Sequence, residues 1–75
     1  MFRRTSKREL ARRQYRQWRV LVNLSQDDTA IKARIAKSRY WRIENGYREA
    51  TTDEVVRIAK VFGITPEQLT DTVAV

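Results

Sequence analysis

The sequence predicts an all-α fold, one compact domain of five helices, and three observations point to it. Gly46, Gly63 and Pro66 are the only glycines and proline in 75 residues, so few positions interrupt a helix. Apolar residues recur at steps of three and four, the spacing that gathers them on one helix face. Ser25, Thr51 and Thr65 are each followed three residues later by an acid or an amide, the pattern of a helix N-terminus. No stretch alternates as a strand, the last seven residues excepted. A chain of this length supports one small core, since folding buries only roughly 60% of the surface that the unfolded form exposes.

The first helix is expected from about Lys7 to Asn23, where Ala11, Tyr15, Trp18 and Val22 stack on one face and Tyr15 and Trp18 read as core. Arg8, Arg12, Arg16 and Arg19 form a neighbouring basic stripe. Ahead of this pattern the chain has no apolar anchor, so residues 1–8 read as a basic flexible arm, 9–70 as the folded domain and 71–75 as a tail. Ser25 caps the second helix, with Asp28 as an acidic variant of the capping box and Asp27 where the helix dipole favours it. Near Gly46 the chain leaves the third helix, because glycine takes the left-handed conformation that a helix end commonly needs. Thr51 with Glu54 opens a fourth helix that carries Val55, Val56, Ile58, Ala59 and Phe62 inward and stops at Gly63. Thr65-Pro66-Glu67-Gln68 opens a short fifth.

Without cysteine or histidine, the chain offers neither disulfides nor thiolate and imidazole metal sites. It also has no glycine-rich phosphate loop and no recognisable carboxylate site, so it reads as a non-enzyme with no cofactor. Its longest apolar runs are three residues, and its Arg-rich start lacks the apolar region of a signal peptide. The expected location is the cytoplasm of a bacterial or phage-infected cell, at the nucleoid.

The net charge of +7 is unevenly placed. Residues 1–19 hold eight basic groups against Glu9 alone, whereas residues 20–75 hold eight of each sign. Such asymmetry suits a polyanion, because each neutralised phosphate releases condensed counterions. Nucleic acid is favoured over a membrane surface, which would require a broader apolar face than Leu10, Ala11, Tyr15 and Trp18 provide.

Leu24-Ser25-Gln26, followed sixteen residues after the glutamine by Arg42-Ile43-Glu44-Asn45-Gly46, resembles the XRE-like helix-turn-helix family of phage repressors and Cro proteins. The resemblance covers about residues 11–69, with Ala30, Ile35, Tyr40 and Ile43 at matching inward positions. It implies a repressor-like domain whose helices two and three form the helix-turn-helix, with a recognition helix at about 36–44 in the major groove. Base-reading slots fall on Lys37, Ser38, Arg39 and Arg42, with Trp41 on the same outer side. Arg39 is the best candidate for a discriminating contact, since arginine can take guanine O6 and N7 together. Arg42 is open to a phosphate role instead.

The same resemblance places Gln26, Asn45, Tyr47 and Arg48 at DNA phosphates, and the arm residues Arg3, Arg4, Lys7 and Arg8 add charge there. Arg19 and Glu44 match an ion pair that sets the angle of the recognition helix. Trp41 is an interface candidate, facing either DNA or a second protomer. The chain departs from the family at Arg34, where the turn usually has glycine, at Ala36, where a Ser or Thr cap is usual, and at Thr29 and Ala33, which replace leucines. A left-handed arginine costs about 1–2 kcal/mol and a missing cap roughly 1 kcal/mol.

The expected function is a sequence-specific regulator of transcription, repressor or Cro-like, that binds a double-stranded DNA operator as a homodimer. The alternative is an antitoxin-like or antirepressor-binding module with a regulatory protein partner and nonspecific nucleic-acid affinity. No membrane partner is expected. For the tail 71–75 an edge strand, an apolar dimer contact and a frayed end all remain open.

Overall fold

The computed structural model describes residues 6–70, so Arg3 and Arg4 of the expected arm and the whole tail lie outside the described residues. Five helices follow in order: α1 Lys7–Leu21, α2 Gln26–Ala33, α3 Lys37–Glu44, α4 Thr52–Phe62 and α5 Pro66–Thr70. Among the described residues there is no strand.

Local chemistry accounts for most of the boundaries. Ser6 accepts a hydrogen bond from the Glu9 amide at 3.1 Å and starts α1 at Lys7, so Lys7 and Arg8 form its first turn instead of continuing an arm. A Ser with an acid three residues on was legible there, but the expected boundary rested on apolar anchors alone. α1 ends at Leu21, short of the expected Asn23, which is left-handed at φ 60. Asparagine is one of the few residues that tolerates this conformation. Ser25 caps α2 through the Asp28 amide at 3.0 Å. Thr51 and Glu54 close a complete capping box on α4, and Thr65 and Gln68 do the same for α5 at 2.9 and 3.1 Å.

The turn between α2 and α3 carries the strain that its sequence implies. Arg34 adopts φ 58 and ψ 45, and Ala36 caps α3 with no side-chain bond. Backbone bonds from Arg34 to the Ile31 carbonyl (3.1 Å) and from Ile35 to the Ala30 carbonyl (2.9 Å) close the turn as a glycine would. Arg57, from α4, donates through Nη1 to the carbonyls of Ala33 and Arg34 at 3.0 Å each, which satisfies two groups that a helix end leaves orphaned.

Among the described residues, ten apolar side chains form the core, with Tyr40, Ile43, Ile58 and Leu69 its largest fully buried members. α2 packs against α3 and α4, α5 against α4, and α1 closes over α3 and α5. Thr29 is fully buried, and its hydroxyl donates to the Ser25 carbonyl at 2.8 Å. Tyr15 is core, while Trp18 is partly buried against it with its indole N–H enclosed and unbonded. Val56, expected inward, is 44% exposed. It lies about 100° round the helix from Val55, off the face shared by Ile58, Ala59 and Phe62.

Gly46 ends α3 in the left-handed conformation at φ 79. A Cβ there would overlap the Arg8 backbone, so the first turn of α1 lies directly against the exit of α3.

Candidate nucleic-acid interface

α3 divides its positions by helical period. Tyr40, Ile43 and Glu44 are buried, Lys37, Ser38, Trp41 and Arg42 are exposed, and Arg39 is intermediate. The exposed set includes three of the four expected base readers and forms one outward face.

Two carboxylates hold that face in place. Glu44 is 2% exposed and accepts four hydrogen bonds. Arg19 supplies two of them, from Nε at 2.8 Å and Nη2 at 3.1 Å. Gln26 Nε2 donates at 2.7 Å and the Tyr40 hydroxyl at 2.9 Å. A buried carboxylate is tolerated only when its lone pairs are this fully engaged. Arg19 also donates to the Leu24 carbonyl at 2.9 Å, so one guanidinium ties α1, the loop before α2 and the end of α3 together. Burial raises the Tyr40 hydroxyl far above its ordinary pKa, with the Glu44 charge adding to the effect.

Gln26, expected at a phosphate, thus has its amide nitrogen committed to Glu44. Asp27 and Asp28 share its helical turn and place negative charge where a phosphate would sit. Asp27 also lies 3.6 Å from the Lys37 ammonium, a pair exposed to solvent and therefore weak.

The second carboxylate is Glu54, on α4. Arg39 donates to it from Nε at 2.5 Å and Nη2 at 2.8 Å, and the Thr51 amide donates at 2.8 Å. The Arg39 bond holds the Glu54 carboxyl at about 2, against the opposing effect of burial, and the Thr51 amide helps. The residue singled out as the discriminating base reader therefore has two donors spent on the protein itself. Sequence reasoning missed Glu54 because its capping role accounted for it, and the fifteen-residue separation from Arg39 gives no local signal.

The exposed aromatics form a second assembly. The rings of Trp41 and Tyr47 stack at 5.6 Å with 10° between their planes. Arg8 lies over the other ring of the pair, 4.0 Å from the Tyr47 centroid, and also bonds the Tyr47 hydroxyl. A cation over an aromatic face is attracted by its quadrupole. Asn45 donates to the Trp41 carbonyl at 2.9 Å and so caps α3, while Arg48 is exposed. Arg8, Tyr47 and Arg48, all expected near phosphates, thereby stand at the C-terminal end of α3.

Among the described residues, no group of three or more Asp or Glu could hold a metal ion, and no helix is long and apolar enough to cross a membrane. A family model described as helix-turn-helix matches residues 16–69. Neither curated proteins nor solved structures give a match.

Proposed function

The chain belongs to the helix-turn-helix family, and from that premise we propose that it is a sequence-specific regulator of transcription that inserts α3 into the major groove of double-stranded DNA. The observation that carries this reading is the outward face of Lys37, Ser38, Trp41 and Arg42, held rigid from behind by buried Glu44. A site built on a helix with locked supports keeps its geometry on binding. Lys37 and Arg42 offer donors to guanine O6 and N7, and Ser38 to either kind of base pair. Asn45, Tyr47, Arg48 and Arg8 are assigned to the flanking phosphates. Arg39 joins the base contacts through the N–H groups that Glu54 leaves unused.

The protein would act as a repressor or Cro-like regulator, as a homodimer on half-sites about one helical turn apart, occluding or recruiting RNA polymerase. Selection of bound sequences from a random duplex pool tests this. A consensus that survives excess random competitor supports the reading, whereas binding abolished equally by any duplex leaves only charge attraction.

A second reading, a protein-interaction module, draws on one observation. Val20 and Leu21, 60% and 74% exposed, border Arg13 and Arg16 along an open groove on α1. Absence of any selected consensus would favour it.

A further inference from the structure

The α2–α3 turn borders a cluster of cations that the DNA-binding face does not use. Lys32, Ala33, Arg34, Arg57, Lys60 and Val61 line a cleft of about 440 Å³ where the end of α2 meets α4. Lys32, Arg34 and Lys60 are exposed. Asp53 approaches Arg57, 3.0 Å from Nε, yet that buried Nε–H makes no hydrogen bond. Cations gathered round one cleft repel each other, and an anion placed among them converts that repulsion into attraction. The strain at Arg34 is a separate observation: its φ of 58 is one that glycine would hold freely. A residue kept in such a conformation points to a task for its side chain.

We propose that this cleft binds a phosphoryl anion, with Lys32, Arg34 and Lys60 as donors beside Arg57, and that the bound anion tightens the α2–α3 turn. The chemistry suits either a free polyphosphate or the backbone of a duplex. The cleft lies by the turn that precedes α3, whereas Asn45, Tyr47 and Arg48 follow that helix roughly 10 Å further along it, so its ligand is distinct from the phosphates assigned to those residues.

The test uses the whole chain and tripolyphosphate, with thermal melts against sodium chloride at matched ionic strength. At about ten times its Kd, tripolyphosphate should raise Tm by roughly 5–10 °C. Lys32→Gln with Lys60→Gln should abolish that shift, while the melt without the anion stays at or slightly above that of the parent as repulsion is relieved. Arg34→Gly should melt higher than the parent alone and gain less from the anion. Arg13→Gln with Arg16→Gln, on α1, should keep the full shift. An undiminished shift in the Lys32/Lys60 variant, or a shift lost only in the α1 variant, overturns the proposal. Acetylation of Lys32 and Lys60 then separates the sources. Protection by tripolyphosphate alone assigns a free ligand, protection also by a random duplex assigns a nucleic-acid backbone, and protection by neither overturns the site.

Discussion

Arg39 and Glu54 join α3 to α4 through two parallel hydrogen bonds of 2.5 and 2.8 Å, so the arginine proposed as a base contact braces the fold. Its side chain is 31% exposed while that of Glu54 is 8% exposed, which leaves the carboxylate more dependent on the pair than the guanidinium is.

Arg39→Met should therefore lower thermal stability as well as DNA affinity. Charged hydrogen bonds of this kind favour the folded state, and the Thr51 amide still serves Glu54 after the loss, so a partial fall in the melting midpoint is expected. Adding Glu54→Gln should recover part of it. Melts of both variants that match the parent would mean that the pair contributes nothing to the fold.

Stability should fall at both ends of the pH scale for separate reasons. Glu54 is held at about 2 against an ordinary 4.5, chiefly by the Arg39 bond, so its contribution is complete above about pH 4.5 and is lost as pH falls toward 2. Tyr15 is pushed up to about 12 from 10.0, first by burial and then by the Glu54 charge. Its neutral ring favours the folded state, and that contribution is complete below about pH 10 and lost as pH rises toward 12. Chemical denaturation across this range should show a shallower acid limb for Arg39→Met. An identical acid limb would show that the Arg39 bond is not what lowers Glu54.

Arg19→Met and Glu44→Gln should each destabilise by about 3–5 kcal/mol, because either change leaves a buried group without its counterpart. The side chains are 14% and 3% exposed, so the charge left behind would be largely out of water. Circular dichroism melts decide it, and unchanged midpoints would place the pair in solvent-screened surroundings.

On DNA, Arg42→Ala should cost roughly 1–3 kcal/mol on the selected site and relax one position of the consensus. Equal loss on random duplex would reassign Arg42 to a phosphate. Removal of residues 2–5 should instead weaken all duplexes alike and flatten the log-affinity against log-salt slope by about 0.9 per lost contact. A consensus that changes at flanking A·T positions would reveal a minor-groove role for Arg3 and Arg4.

The helices and their caps were legible because the signals are local. Ser25 with Asp28, Thr51 with Glu54, and Gly46 each announce a boundary within four residues of it, and the periodic face of Tyr15 and Ile58 needs no partner to be seen. The resemblance supplied the Arg19 and Glu44 register across 25 residues. What stayed hidden was the allocation of donors. Gln26 and Arg39 look free in a linear chain, and only the fold, with α2 packed against both α3 and α4, brings Glu44 and Glu54 within reach of them. Arg57 is a similar case, since its two backbone carbonyls on the α2–α3 turn lie more than twenty residues away.

The alternation along α3 also sets how this protein can change. Arg39, Tyr40, Ile43 and Glu44 are bound to the rest of the molecule, while Lys37, Ser38, Trp41 and Arg42 are exposed. Side chains at Lys37, Ser38 and Arg42 can be exchanged with little effect on the melt, as surface substitutions generally are, and Trp41 adds only its stacking on Tyr47. Half of the helix is thus a fixed mount and half a replaceable face. If that face reads DNA as proposed, a descendant with a different binding preference can arise by a few substitutions there without first losing its fold.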